Sequence, residues 1–267
     1  MNAAASPAVL TERRGNVLLV TINRPEARNA VNAAVHLGIG EALELAEHDP
    51  ELRVVILTGA GEKAFCAGAD LVALSRGERL APDDKAQAAW GFAGFVQHPI
   101  SKPVIAAVNG FALGGGTELA LASDLVVAAE HAQFGLPEVK RGLIAAAGGA
   151  FRLVQQLPQK VAMEYLMTGE PFTAARAAEL GLVNKVVPAD KLLEEAFALA
   201  ERIAVNAPLS VQASKRIALQ IIDHHRAAED GFWAQNAAET KVIMRSEDAR
   251  EGPRAFAEKR APVWKAQ

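Results

Sequence analysis

The chain has 267 residues, 51% of them hydrophobic and 22% charged, with 28 Lys and Arg against 31 Asp and Glu for a net charge of -3. This composition excludes a disordered chain and offers no basic surplus for a nucleic-acid backbone, so nucleic acid is not expected as a partner. The single cysteine, Cys66, excludes an internal disulfide and a cysteine-rich zinc site, and fits a reducing compartment.

The opening stretch MNAAASPAVLTERRG lacks a basic start followed by a long apolar run, so no secretory signal is expected. No apolar run reaches the roughly 20 residues that span a bilayer. A soluble, cytoplasmic protein without a membrane partner is the expectation. Val17 to Ile22 reads as a strand closed by Asn23-Arg24-Pro25. Asn32 to Glu47 carries Val35, Ile39, Leu43 and Ala46 at helical spacing and ends at Asp49-Pro50. Val54 to Leu57 is a short buried strand followed by TGAG. Ser75 to Asp84 reads as a polar surface loop. Val104 to Val108 is a strand, Gly110 to Gly116 a glycine-rich turn, Thr117 to Ala122 a helix and Leu125 to Ala128 another strand. Such alternation indicates an α/β architecture.

Beyond Phe172 the pattern changes. Thr173 to Leu180 reads as helix stopped by Gly181, and Val183 to Val187 as a last strand ended by Pro188. Helices are then expected over Asp190 to Val205, Leu209 to His225 and Asp230 to Arg245, with Ser246-Glu247-Asp248 capping a final short one. The expected division is an α/β core over 1–200 and a helical region over 201–267.

Several chemistries lack their motifs. The chain has no G-x-S-x-G elbow and no G-x-x-x-x-G-K-[ST] loop, and Gly59-Ala60-Gly61-Glu62 lacks the third glycine of a dinucleotide fingerprint. No two of the six histidines have the i, i+4 spacing of helical metal ligands.

Two glycine turns remain, KAFCAGADL (Lys63 to Leu71) and AVNGFALGGGTELALASD (Ala107 to Asp124). Each follows an apolar strand and precedes a helical turn. Glycine lets backbone approach a ligand closely, and a helix start offers unpaired N–H groups. Two such groups converging on one point would hold a developing negative oxygen. The same glycines equally suit tight strand-on-helix packing. Glu118 follows Gly114-Gly115-Gly116, where the helix dipole favours an acid, and Glu138 lies in Phe134-Gly135-Leu136-Pro137-Glu138. A pair of carboxyls can divide general acid and base work, although spacing alone does not bring them together.

At these residues the sequence resembles the enoyl-CoA hydratase (crotonase) family. NRPEARNAV, AFCAGADL, KPVIAAVNGFALGGGTELALASD, FGLPEVKRGL, AMEYLMTGEPFTAARAAELGLVNKVVP and EGPRAFAEKR stand in family order from about Val17 to the C-terminus. The resemblance implies a spiral of ββα turns with a helical C-terminal trimerisation region, assembled as a homotrimer or a hexamer of two trimers. It implies acyl-CoA thioesters as substrate and no cofactor, coenzyme A being part of the substrate. Ala69 and Gly115 fall on the two backbone donors to the thioester oxygen. Glu118 and Glu138 fall on the two catalytic glutamates of the hydratases. Ala27, Arg28, Ala67, Asp70 and Leu71 match the stretch that holds coenzyme A, and Lys259 matches a basic residue that reaches it, in some assemblies from a neighbouring subunit.

Departures are present as well. Lys140 and Arg141 make the stretch after Glu138 more basic than in typical short-chain hydratases, a proline usual near Ala145 is missing, and Glu26 stands where a basic residue is common. Leu74, Trp90, Phe92 and Phe95 fall in the segment that lines the acyl end of the family, and they suit a helix core equally well. The leading expectation is a hydratase acting on trans-2-enoyl-CoA. A specialised dehydratase of the carnitinyl-CoA type, an enoyl-CoA isomerase and a non-catalytic acyl-CoA-binding protein are the alternatives.

Overall fold

The computed structural model describes residues 6–267. Residues 1–5 of the N-terminal stretch read above lie outside the described residues. Among the described residues, no helix is long and apolar enough to cross a membrane.

The large sheet has six strands in the order β1-β2-β3-β5-β7-β10. Strand β1 (Val9–Arg14) pairs antiparallel with β2 (Val17–Ile22) through a turn at Gly15. It escaped the sequence reading because all of it after Val9 is exposed and carries no apolar alternation. From β2 the ladder is parallel through β3 (Val54–Gly59), β5 (Val104–Val108), β7 (Leu125–Ala129) and β10 (Lys185–Val187). Parallel strands covered on both faces read as continuous apolar runs, as these do. One face (Leu18, Val20, Ile22, Val55, Leu57) belongs to the core that α1 (Ala33–His48) seals with Val35, Ile39 and Leu43. Asn32 caps α1 by accepting from the Val35 N–H at 3.0 Å. The other face (Val17, Leu19, Val54, Ile56, Ile105) is covered by Leu192, Ala196, Ala200 and Ala204 of α8 (Leu192–Ala204).

A small sheet runs β4-β6-β8-β9, built from β4 (Ala64–Cys66), β6 (Phe111–Leu113), β8 (Gln133–Gly135) and β9 (Phe172–Thr173). The chain alternates between the sheets. Strands β3, β5 and β7 lie in the large one, and each is followed by β4, β6 or β8 in the small one. Helices close each turn: α2 (Leu71–Ser75) and α3 (Lys85–Ala88), then α4 (Gly115–Ala122), then α5 (Gly149–Gln156) and α6 (Gln159–Thr168). This is the expected ββα spiral. The strands of the small sheet are too short to show a period in the sequence.

After β9 come α7 (Ala174–Glu179), the β10 and α8 elements, and α9 (Pro208–Leu219). The expected division near residue 200 falls inside α8, whose Ala200 and Ala204 are buried against the sheet. Helix α9 does not run to His225 as expected. It stops at Leu219, Gln220 turns left-handed, and Ile221–Ile222 (β11) pairs with His225–Arg226 (β12) around Asp223 and His224, both at positive φ. Burial of Ile221 and the two-strand pairing outweigh the helical period there. Helices α10 (Asp230–Ile243) and α11 (Asp248–Ala257) follow, the second started by the Ser246 hydroxyl, which accepts from the Ala249 N–H at 3.0 Å.

Candidate active site

Both glycine turns arrive at one place. Gly68, at φ +89°, follows β4, and a Cβ on it would lie 3.2 Å from the Gly115 nitrogen. A Cβ on Gly116 would lie 2.0 Å from the Cys66 carbonyl oxygen, so only glycine fits where α4 starts beneath β4. Gly115 is the first residue of α4, and its N–H belongs to the unpaired first turn. On the facing turn the Gly68 N–H points to Cys66 Sγ at 3.4 Å and the Asp70 N–H donates to the Val31 carbonyl at 2.9 Å. The Ala69 N–H between them has no partner among the described residues. Two backbone donors thus flank one point where the two turns meet.

The carboxyls come to the same place. Glu118 sits in the first turn of α4, is 3% exposed, and its Oε1 accepts from the Gly149 N–H at 2.9 Å. Glu138 lies in the 3-10 helix Pro137–Arg141 that follows β8. Its Oε1 rests against Gly114, 2.9 Å from where a Cβ would be, and its Oε2 is buried with no partner among the described residues. Burial raises the Glu118 carboxyl well above the ordinary range, and the nearby charge of Glu138 raises it further, against the pull of the Gly149 and Ala147 N–H groups and of Arg152. Burial raises Glu138 as well. Two carboxyls with raised affinity for protons, beside two idle backbone donors, can pass protons near neutral pH while an oxygen gathers charge.

The turn over 24–31 lies alongside the turn over 66–71. The Ala67 N–H donates to the Arg28 carbonyl at 3.1 Å, and the Val31 N–H donates to the Gly68 carbonyl at 2.8 Å. Ala27, Arg28, Ala67, Asp70 and Leu71 are therefore gathered, with Arg28, Ala67 and Leu71 exposed. The Asp70 side chain is spent internally. It caps α2 through the Val72 and Ala73 N–H groups and pairs with Arg24 Nη1 at 2.9 Å. Its backbone is engaged as well, the N–H with the Val31 carbonyl and the carbonyl with the Leu74 N–H at 3.0 Å, so Asp70 shapes the turn. Lys259 is exposed just past the end of α11, and no hydrogen bond or ion pair among the described residues ties it to the other five.

The four apolar residues of the acyl-end segment separate. Phe95 is core, Trp90 stacks on His98 at 4.8 Å, Leu74 is exposed, and Phe92 alone reaches the site. Its ring edge would lie 2.3 Å from a Cβ on Gly115. A turn with Gly91, Ala93 and Gly94 all at positive φ delivers it. Cys66 is fully buried and its thiol is pushed up to about 12 by burial, which fits a filler and not a nucleophile. Arg141 is not a plain surface charge: its guanidinium carbon lies 4.0 Å from the centre of the Phe256 ring on α11.

Three residues of the site escaped the sequence reading. Asn29, fully buried at φ +56°, donates to the carbonyls of Ala60 and Ala64 at 3.0 and 2.7 Å and ties the 24–31 turn to the start of β4. Thr117 joins α4 to β8 through Gly135. Arg152 is buried behind Gly148. Only Asn29 had a local signal, as asparagine tolerates the left-handed region.

A family model described as enoyl-CoA hydratase/isomerase matches residues 12–267. The chain is 46% identical over 259 residues to a carnitinyl-CoA dehydratase of Salmonella typhi, covering 96% of this chain and 97% of that protein. It superposes with TM-score 0.96 and 61% identity on the crystal structure of a carnitinyl-CoA hydratase from Mycobacterium avium, covering 98% of this chain and all (100%) of that one. An enoyl-CoA hydratase structure from Mycobacterium tuberculosis H37Rv is 47% identical with TM-score 0.76, covering 98% of this chain and 100% of that one. Sequence, fold and the meeting of the two glycine turns agree, and the chain belongs to the enoyl-CoA hydratase/isomerase (crotonase) family.

Proposed function

We propose that this protein adds water to, and removes it from, the C2–C3 bond of an acyl-CoA thioester. The observation that carries this reading is the convergence of two buried carboxyls, Glu118 and Glu138, beside the idle N–H groups of Ala69 and Gly115. In hydration, Glu118 accepts a proton from water as the oxygen bonds to C3. Charge moves to the thioester oxygen, where the two N–H groups receive it, each worth about 3–4 kcal/mol in such a site. Glu138 then gives its proton to C2. The pair resets when the proton on Glu118 returns to Glu138, and the two titrate as a unit. Nothing is oxidised or reduced, so coenzyme A enters only as part of the substrate.

The names of the relatives support a choice of acyl group. Those named carnitinyl-CoA dehydratase or hydratase favour the specialised alternative over a general short-chain hydratase. We therefore place a carnitinyl-type 3-hydroxyacyl thioester first and plain enoyl-CoA second. The turns over 24–31 and 66–71 are the proposed coenzyme A cradle. The chain is further read as a homotrimer or hexamer, because Val205, Leu209 and Ile217 are 79%, 75% and 79% exposed on the C-terminal helical side. Lys259 would then reach coenzyme A of a neighbouring subunit.

The test compares turnover of carnitinyl-CoA and crotonyl-CoA by wild type, Glu118→Gln and Glu138→Gln. Both variants should lose about 10²-fold or more in kcat, with the double variant little worse than either. Turnover confined to crotonyl-CoA would reverse the ranking of acyl groups. Tight binding of both thioesters with no turnover would replace the catalytic reading by a binding one.

A further inference from the structure

Arg152 heads the largest side chains that solvent does not reach. It lies in α5, one turn beyond Gly148 and Gly149. A guanidinium stays charged, and burying one is costly unless its donors are met. Nε donates to Glu229 Oε1 at 3.0 Å, and Nη2 donates to Glu229 Oε2 at 2.6 Å and to the Val96 carbonyl at 2.7 Å. The rings of Phe151 and Trp233 flank the guanidinium carbon at 5.5 and 5.4 Å. Trp233 Nε1 donates to Glu229 Oε2 at 3.0 Å, which holds the acceptor in place.

The remaining nitrogen, Nη1, is buried and has no partner among the described residues. It faces Gly148, where a Cβ would lie 3.1 Å from it. The next residue, Gly149, donates its N–H to Glu118, and a Cβ there would lie 2.9 Å from the same Oε1. An idle cationic donor and the proposed base thus abut one glycine pair. The charge of Arg152 is also incompletely neutralised. Glu229 is shared with Arg226, at 3.5 Å, and the neighbouring Asp124 is bound to Lys215 at 2.7 Å. Arg152, Arg226 and Lys215 thus lie along one buried line with Glu229 and Asp124, and Glu47 adds a further carboxylate beside Lys215. The other titratable groups near Glu118 are Glu138 from the 3-10 helix and the Cys66 thiol after β4.

We propose that Arg152 is a positioning residue: its buried charge and idle Nη1 keep Glu118 available as the carboxylate that accepts the water proton. The role rests on the two-carboxyl reading above, and its arrangement also fixes the segments involved. Arg152 links α5, which supplies the Gly149 N–H, to Val96 in the segment that carries Phe92 and to Glu229 at the entry to α10.

The test is a carboxyl 13C NMR titration of the ligand-free full chain, with the Glu118 signal identified by its loss in Glu118→Gln. Three variants are compared: Arg152→Lys, Glu229→Gln, and Arg152→Met with Glu229→Gln, which removes the buried ion pair as a unit and leaves Arg226 to the Ala122 carbonyl and the nearby Asp124. The double variant should raise the Glu118 midpoint by about one pH unit. Arg152→Lys should restore most of the wild-type value. Glu229→Gln, which leaves Arg152 in place without its counter-ion, should lower the midpoint, and it decides the matter by itself if the double variant fails to fold. The acid limb of kcat/KM should move in step with the NMR midpoint. An unchanged Glu118 midpoint in Glu229→Gln and in the double variant would overturn the proposal while leaving turnover by wild type to stand. A shifted midpoint in a protein without turnover would sink the hydration reading and keep the charge-setting role.

Discussion

Thr117 and Gly135 are bonded across the gap between α4 and β8: the Gly135 N–H donates to Thr117 Oγ1 at 2.9 Å. The same hydroxyl donates to the Ala112 carbonyl at 2.6 Å, and the Gly114 N–H donates to the Gly135 carbonyl at 2.8 Å. Glu118 is the next residue after Thr117, and Glu138 follows Gly135 by one short turn. This buried hydroxyl therefore holds the approach of the two carboxyls together with the pairing of β6 and β8. Thr117→Val keeps the shape but leaves the Gly135 N–H without an acceptor. It should cost about 1–3 kcal/mol in stability, read by urea unfolding. It should also lower kcat more than it raises KM, because the fault lies between the carboxyls. An unchanged kcat would show that β6–β8 pairing alone holds them.

Burial of Glu118 has a consequence for stability as well as for chemistry. Its carboxyl is raised above the ordinary 4.5 in the folded protein, so the native state holds the proton over a pH range where the unfolded chain has released it. Stability then falls as pH rises through that range. Below the unfolded value both states are protonated and nothing is lost. Glu118→Gln removes the titration. Its melting temperature should match wild type near the acid end and exceed it increasingly towards pH 8, by at least about 1 kcal/mol in stability. A gain that does not grow with pH would show that burial does not raise the proton affinity of Glu118.

Gly115 is required by space as much as by its N–H. A Cβ there would lie 2.3 Å from Cε1 of Phe92. Gly115→Ala should therefore displace the ring or the helix start, with a loss of about 1–3 kcal/mol and most of the activity. Phe92→Ala clears the ring. The double variant should regain stability relative to Gly115→Ala alone, a coupling that a thermodynamic cycle reads directly. Additive losses would mean that the clash is relieved elsewhere.

Exposed apolar side chains past α8 give the assembly prediction. Light scattering at micromolar concentration should show a trimer or a hexamer, and charged substitutions at Leu209 and Ile217 should shift it towards smaller species. A monomer in wild type would contradict this reading.

Much of the fold was legible along the chain because its causes are local. The strands β2, β3, β5 and β7 are short apolar runs, α1 is an amphipathic period with an Asn32 cap, and the two glycine turns are marked by residues that few other conformations require. Those turns, with Glu118 and Glu138, also marked the candidate site and its family. What stayed hidden depends on partners distant in sequence. The left-handed turn after Leu219 is set by pairing of Ile221 with Arg226 and not by its own residues. Nothing near Arg152 shows that it is buried against Glu229 and Val96. The register Leu113↔Gly135 between β6 and β8 brings the carboxyls to one point, and it is a property of the small sheet as a whole. A residue's conformational preference is read within a few neighbours, whereas burial, proton affinity and contact are decided by what the fold lays against it.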